Sequence, residues 1–163
     1  EGLAGLWCVA LGFNNKRLIK AANKQLNLLP NYHSFTGKVP LTTLKLSEEL
    51  VKISPKSLTK VLYANSGSES NDTAIKMAWY YQNALGRTKK KKIISRYRGY
   101  HGVTIMSGSL TGMDYAHKGF DMPRDFVVHT DSPHYYKDSL SQESSREFVN
   151  RLLKNLENRE FKY

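Results

Sequence analysis

At 163 residues and 40% apolar composition, the chain is long enough for one domain with a sizeable core, and no apolar run nears the roughly 18 residues of a membrane span. Its 25 basic and 14 acidic residues give a net charge of +11, but the charges are spread out, and aromatic residues do not interleave with the basic ones as a nucleic-acid stacking platform requires. A single cysteine, Cys8, excludes an internal disulfide framework and a cysteine-based zinc site, and suits a reducing compartment.

The chain opens on Glu1, carries no visible targeting leader, and reads as beginning inside a longer protein. Residues 2–12 are apolar and punctuated by Gly2, Gly5 and Gly12, which suits a short strand or hairpin better than a helix. Asn14 or Asn15 then caps a helix carrying Leu18, Ala22, Leu26 and Leu29 on one face, stopped by Pro30. The loop 31–37 holds two aromatics, Tyr32 and Phe35, with the look of exposed side chains. Pro40 opens a second helix, in which Leu46, Leu50 and Ile53 share a face before Pro55 closes it.

From Lys60 the pattern becomes strand, helix, strand. Lys60-Val61-Leu62-Tyr63 is a β-prone run that feeds a small polar turn around Gly67. A helix follows from Ser66 to about Leu85, with Ala74, Ala78, Tyr81 and Leu85 on one face, and Ser66 and Glu69 stand in the relation of a capping box. Free N–H groups and the helix dipole at such a start favour an anion, a phosphate above all. An ordinary capped helix fits the same spacing equally well. Lys89-Lys90-Lys91-Lys92 reads as a solvated turn.

Ile93-Ile94-Ser95 is the next strand, and residues 103–110 suit a short helix packed closely on a sheet. Phe126-Val127-Val128-His129 is a third strand, and residues 141–158 form a polar helix with Phe148, Leu152 and Leu156 on its buried side. The alternation predicts an α/β fold with a mostly parallel sheet of three or four strands and flanking helices. Such a sheet is incomplete, because parallel strands need both faces covered. His129 and His134 lack carboxylates in metal-ligand order, so no metal is expected.

A second motif, Arg96-Tyr97-Arg98-Gly99-Tyr100-His101-Gly102, follows the strand at Ile94. Loops at the C-terminal ends of parallel strands face a common crevice, so Ser66-Gly67-Ser68 and Tyr100-His101 are expected at one edge. One loop supplies N–H donors and the other a flat ring. Together they suit a phosphorylated aromatic cofactor.

Four stretches carry a family resemblance: Gly5-Leu6-Trp7-Cys8-Val9, Leu29-Pro30-Asn31-Tyr32-His33-Ser34-Phe35, Asn65-Ser66-Gly67-Ser68-Glu69-Ser70-Asn71-Asp72 and Tyr100-His101-Gly102-Val103-Thr104. In this order they closely resemble the class III pyridoxal-phosphate-dependent aminotransferases, nearest to the ω-amino acid:pyruvate branch that acts on β-alanine or 4-aminobutyrate. Ser109-Leu110-Thr111-Gly112-Met113 and Asp131-Ser132-Pro133 fit as well, so the resemblance is collinear from about Gly2 to Tyr136.

The resemblance implies a partial fold-type I transferase. Residues 1–40 would close an N-terminal segment or small domain, and residues 41–163 would open the large cofactor-binding domain. It implies pyridoxal 5'-phosphate, with Ser66, Gly67 and Ser68 at the phosphate, Tyr100 stacked on the ring and His101 beside it. Trp7 and Phe35 match aromatics that line the substrate pocket, partly across a homodimer interface. On their residue types alone, Trp7 reads as core, Phe35 as a loop anchor and Cys8 as a small buried hydrophobe. Thr36 stands where relatives commonly carry a second aromatic, so the family's substrate preference does not carry over directly.

The implied reaction moves an amino group from an amine or an ω- or α-amino acid to an oxo acid such as pyruvate. The family's reactive lysine and the carboxylate at the ring nitrogen lie downstream, and no lysine here stands in that context. No catalytic residue is therefore assigned, and the chain alone is expected to be inactive. Another pyridoxal enzyme of this fold, such as an aminomutase or decarboxylase, and a truncated non-catalytic chain are the alternatives. Neither nucleic acid nor membrane is an expected partner, and the expected compartment is the cytosol, with the mitochondrion left open.

Overall fold

The computed structural model describes residues 2–3 and 5–158. The chain divides into two compact units, Glu1–Leu62 and Tyr63–Tyr163.

In the first unit, residues 5–12 form successive turns rather than the expected strand or hairpin. The Cys8 N–H donates to the Gly5 carbonyl (3.3 Å) and the Gly12 N–H to the Val9 carbonyl (2.8 Å). Gly5, Leu6 and Trp7 all have positive φ, at 59°, 53° and 76°, and consecutive left-handed residues curl a chain that a strand would need extended. Trp7 is 94% exposed and Cys8 is exposed as well, so neither is a core residue.

Helix α1 (Lys16–Leu28) starts at Asn15, whose side-chain oxygen accepts from the N–H groups of Arg17 (3.1 Å) and Leu18 (3.3 Å). That is the cap the sequence predicts, resolved in favour of Asn15 over Asn14. Helix α2 (Leu41–Ile53) follows Pro40 directly and ends before Pro55. Neither helix buries a single residue.

The second unit is built on helix α3 (Gly67–Ala84), strand β1 (Ile93–Arg96), helix α4 (Ile105–Leu110) and strand β2 (Val127–Thr130). The two strands pair in parallel, from Ile93 opposite Val127 to Arg96 opposite Thr130. Among the described residues the sheet has these two strands, not three or four, and residues 60–63 form none. A β-prone run becomes a strand only where a neighbour supplies a ladder, and β1 and β2 supply theirs to each other.

Helix α4 packs against α3 and both strands with Ser107, Gly108, Ser109 and Leu110 buried, as a short helix close to a sheet should. The Ser95 hydroxyl donates to the Leu110 carbonyl (2.5 Å), pinning the end of α4 to β1. Beyond β2, a short helix α5 (Tyr135–Asp138) leads to α6 (Ser145–Glu157), which starts in a capping box between Ser144 and Glu147. Phe148, 2% exposed, anchors α6, with the Tyr135 ring edge-on at 5.5 Å.

The buried face of α3 differs from the one its apolar spacing predicts. Ala74, Ala78, Tyr81 and Leu85 are exposed, whereas Ser68, Asp72, Ile75, Trp79 and Gln82 turn inward at steps of four and three. Polar side chains can occupy a buried stripe where they find hydrogen-bond partners, as Ser68, Asp72 and Trp79 do, whereas the buried Gln82 Oε1 has none. The Trp79 Nε1–H donates to the Lys91 carbonyl (3.0 Å), and its ring meets Phe126 edge-on at 5.5 Å. The lysine run is accordingly only half solvated. Lys91 Nζ donates to Asn83 Oδ1 (2.5 Å) and Lys92 Nζ to the Asp125 carbonyl, while Lys89 and Lys90 are exposed. No helix among the described residues is long and apolar enough to cross a membrane.

Candidate functional site

The start of α3 is set by its cap. Ser66 is extended, and its hydroxyl oxygen accepts from the Glu69 N–H (3.2 Å). The Glu69 carboxylate accepts from the N–H of Asn65 (2.8 Å), one residue further out than a capping box requires. The Ser66 carbonyl accepts from the Ser70 N–H (3.0 Å), so the α-helical ladder begins there. Helix geometry leaves the N–H groups of Gly67 and Ser68 without a carbonyl in their own helix. Gly67 also faces open space, since a Cβ placed on it would meet nothing within 4 Å. Two free N–H groups, the positive end of an 18-residue helix and an unobstructed approach make a seat for an anion.

The loop leaving β1 is folded against that seat. Arg98, at φ 66°, donates its N–H to the Gly112 carbonyl (2.6 Å), and Gly112 returns its own N–H to Gly99 (2.8 Å). The His101 N–H donates to Thr111 Oγ1 (3.0 Å), and the His101 carbonyl accepts from Asn71 Nδ2 on α3 (2.6 Å). The Val103 N–H donates to Ser68 Oγ (3.0 Å). One further turn along α3, Asp72 Oδ1 accepts from the Thr104 hydroxyl (2.7 Å) and the Ser107 N–H (2.9 Å). Gly102 lies where the two elements touch. At φ 132°, an added Cβ would fall 2.5 Å from Ser68 Oγ and closer still to Ser107 Oγ. Only a glycine allows this approach.

Within the second unit, Ser68 is thus tied to Val103 and the His101 backbone to Asn71, with Ser66 and Gly67 preceding the one tie in the chain and Tyr100 the other. The Tyr100 ring is 63% exposed on the same loop. The His101 imidazole folds back over Gly99, whose Cβ position lies 3.0 Å from His101 Nε2. Trp7 and Phe35 lie in the first unit, 94% and 78% exposed. A hollow of about 520 Å3 in the second unit is lined by residues including Tyr97, Arg98, Asp138 and Arg151, and by none of Ser66, Gly67, Ser68, Tyr100 and His101.

Behind the loop, the His129 ring stacks on Tyr97 at 5.4 Å and meets His117 edge-on at 6.1 Å. Burial pushes the His129 pKa down, so the ring is neutral at neutral pH, and its Nε2–H donates to the Leu110 carbonyl (3.1 Å). No three His, Cys, Asp or Glu side chains converge as a metal site among the described residues.

The residues that join the two loops, Asn71, Asp72, Ser107 and Thr111, were not singled out by sequence reasoning. The signal for Asn71 and Asp72 is their spacing. They fall in step with Ser68, Ile75 and Trp79 on one helical face, which an apolar count overlooks.

A helix-start anion seat tied to a loop that carries an exposed aromatic residue has the chemistry to receive a phosphorylated ring compound. Comparison with known proteins narrows the class. The aminotransferase class-III description matches residues 1–162, and the chain belongs to that family. It is 53% identical over 158 residues to γ-aminobutyrate transaminase 1, mitochondrial, of Solanum lycopersicum, covering 96% of this chain and 31% of that protein. It is 50% identical over 158 residues to vanillin aminotransferase of Capsicum frutescens, covering 96% and 34%. The ω-transaminase of Pseudomonas jessenii, solved in complex with PMP, superimposes with a TM-score of 0.91 at 50% identity, over 96% of this chain and 35% of that one. The fold is thus part of a fold-type I transferase, and the chain spans about a third of the length of the curated relatives it matches.

Proposed function

We propose that the protein is a pyridoxal-phosphate-dependent transaminase that moves an amino group from an amine or amino acid to an oxo acid such as pyruvate. The observation that carries this reading is the pair of ties between α3 and the Tyr100 loop, Ser68 to Val103 and Asn71 to His101, at the mouth of the anion seat. The donor set fits the cofactor: N–H groups and hydroxyls for a phosphate, open space at Gly67 for it to enter, and an exposed ring nearby for a pyridine to lie on. The PMP bound by the P. jessenii enzyme, the amino form of the same cofactor, supports the assignment.

In this reading the Gly67 and Ser68 N–H groups and the Ser66 and Ser68 hydroxyls hold the phosphate, with the helix dipole favouring its dianion. Tyr100 stacks on the ring and keeps water from one face, and His101 contributes from the same loop. Bound pyridoxal phosphate supplies an aldehyde to take up the amino group and a ring that draws electrons from the carbon losing its proton. No lysine of this chain is assigned the proton transfer. Trp7 and Phe35 are assigned to the substrate pocket of a homodimer. Residues 1–40 are assigned to the N-terminal segment and residues 41–163 to the start of the large domain.

Relatives named for γ-aminobutyrate and for vanillin have nearly the same identity to this chain, so an amine substrate is supported without a choice between the two. The name of the tomato relative favours a mitochondrial location over the cytosol. The test is alanine formation from pyruvate by the full-length protein loaded with pyridoxal phosphate. Formation that depends on γ-aminobutyrate or a benzylic amine supports transamination. Release of carbon dioxide or an intramolecular amino shift, with no alanine from any donor, replaces it with decarboxylase or aminomutase chemistry.

A further inference from the structure

We propose that Asn71 and Thr111 are positioning residues that clamp the main chain of His101 from two sides and thereby set where the Tyr100 ring stands relative to the start of α3. This deepens the cofactor reading above and rests on it for the ring's function, though not for the clamp itself. Both backbone polar groups of His101 are taken by side chains, and the two side chains come from different elements. Asn71 Nδ2, on the second turn of α3, donates to the carbonyl at 2.6 Å. Thr111 Oγ1, just beyond α4, accepts the N–H at 3.0 Å.

Thr111 is fully buried, at 0% exposure, and its hydroxyl lies within hydrogen-bond reach of two carbonyls, Gly102 at 3.3 Å and Ser107 at 3.5 Å. It accepts the His101 N–H and is held in turn by carbonyls of the loop and of α4. A buried hydroxyl in this position has no water to fall back on, so its hydrogen bonds hold more firmly than those of a surface loop. The loop gains a fixed height above α3, and the neighbouring residue, Tyr100, inherits it.

The arrangement separates the roles of the two halves of His101. Its backbone is the clamped point, while its imidazole folds over Gly99.

The test uses amide hydrogen exchange and cofactor titration on the full-length protein. In Thr111→Val, nearly the same shape without the hydroxyl, the residue-101 amide is expected to exchange about tenfold faster. The amides of β1 should keep their parental rates, and Thr111→Ser should restore residue 101 to within about twofold. Pyridoxal phosphate, followed by fluorescence quenching, is expected to bind about tenfold more weakly to Thr111→Val and Asn71→Ala, and within about threefold of the parent to Thr111→Ser. An unchanged residue-101 amide in Thr111→Val overturns the clamp, as does an equal acceleration through β1. Faster exchange with unchanged cofactor affinity overturns its role in placing the ring. If the parent itself binds no pyridoxal phosphate, the cofactor reading fails, while the exchange rates still decide the clamp.

Discussion

The two units of this chain contain helices of similar quality and make very different use of them. In the first, α1 has a well-formed cap at Asn15 and α2 follows a proline start, yet neither buries a residue. In the second, α3 places Ser68, Asn71 and Asp72 against the loop 101–103 and the start of α4, and each of the three is hydrogen-bonded there. Capping and turn chemistry are enough to start and stop a helix. A functional edge needs more, since side chains from one element must satisfy backbone groups of another.

The sharpest way to break this contrast is Gly102→Ala. A methyl group there meets Ser68 Oγ and Ser107 Oγ at a backbone angle of φ 132°, so the α3–loop contact should open. The expected loss is about 3 kcal/mol in urea unfolding, together with loss of cofactor binding. Gly67→Asp should separate stability from binding. Gly67 has free space around it, and a carboxylate at the first turn suits the helix dipole, so stability should hold or rise by up to about 1 kcal/mol. The same charge repels a phosphate, and pyridoxal phosphate affinity should fall about 100-fold in an equilibrium titration. If binding survives, the anion seat lies elsewhere.

A third variant probes the other end of the second unit. Glu143 accepts from Arg151 Nε at 2.8 Å, and this hydrogen bond, with the Leu140 N–H, holds its pKa down at about 2. A carboxylate with a lowered folded-state pKa contributes its stability above the unfolded value near 4.5, and loses it as pH falls toward 2. Glu143→Gln should therefore lower the urea midpoint at pH 7, and the two proteins should converge as the pH approaches 2. The smallest effect belongs to the first unit. Asn15→Ala removes the oxygen that accepts from Arg17 and Leu18, for about 1 kcal/mol read as faster amide exchange within α1.

Local rules account for what was legible beforehand. Asn15, Pro40 and Ser66 mark helix starts by chemistry confined to a few neighbouring residues, and Ile93 to Ser95 and Val127 to His129 are β-branched enough to announce themselves. The expectation that Ser66–Ser68 and Tyr100–His101 share an edge relied on a strand at residues 60–63 that does not form; the observed link between the two stretches is instead the side-chain ties of Ser68 and Asn71. What stayed hidden depends on partners distant in sequence. Lys60 to Tyr63 has strand composition but no strand, because composition does not provide a ladder. Ala74, Ala78, Tyr81 and Leu85 share an apolar spacing, yet α3 turns Asp72 and Trp79 inward, because Thr104, Ser107 and the Lys91 carbonyl are there to receive them. Thr111 lay in a stretch already recognised as family-like, but its hold on the His101 N–H joins residues ten apart through a turn that no local rule describes.

The central claim is that the start of α3 holds a phosphate while the Tyr100 loop holds the ring attached to it. Its most direct test is to titrate the full-length protein with pyridoxal 5'-phosphate and with pyridoxal, which lacks the phosphate, and to repeat both in Gly67→Asp. The phosphorylated form should bind at least about 100-fold more tightly, inorganic phosphate should compete with it, and the substitution should erase the difference. Equal affinity for the two compounds in the parent protein would contradict the account.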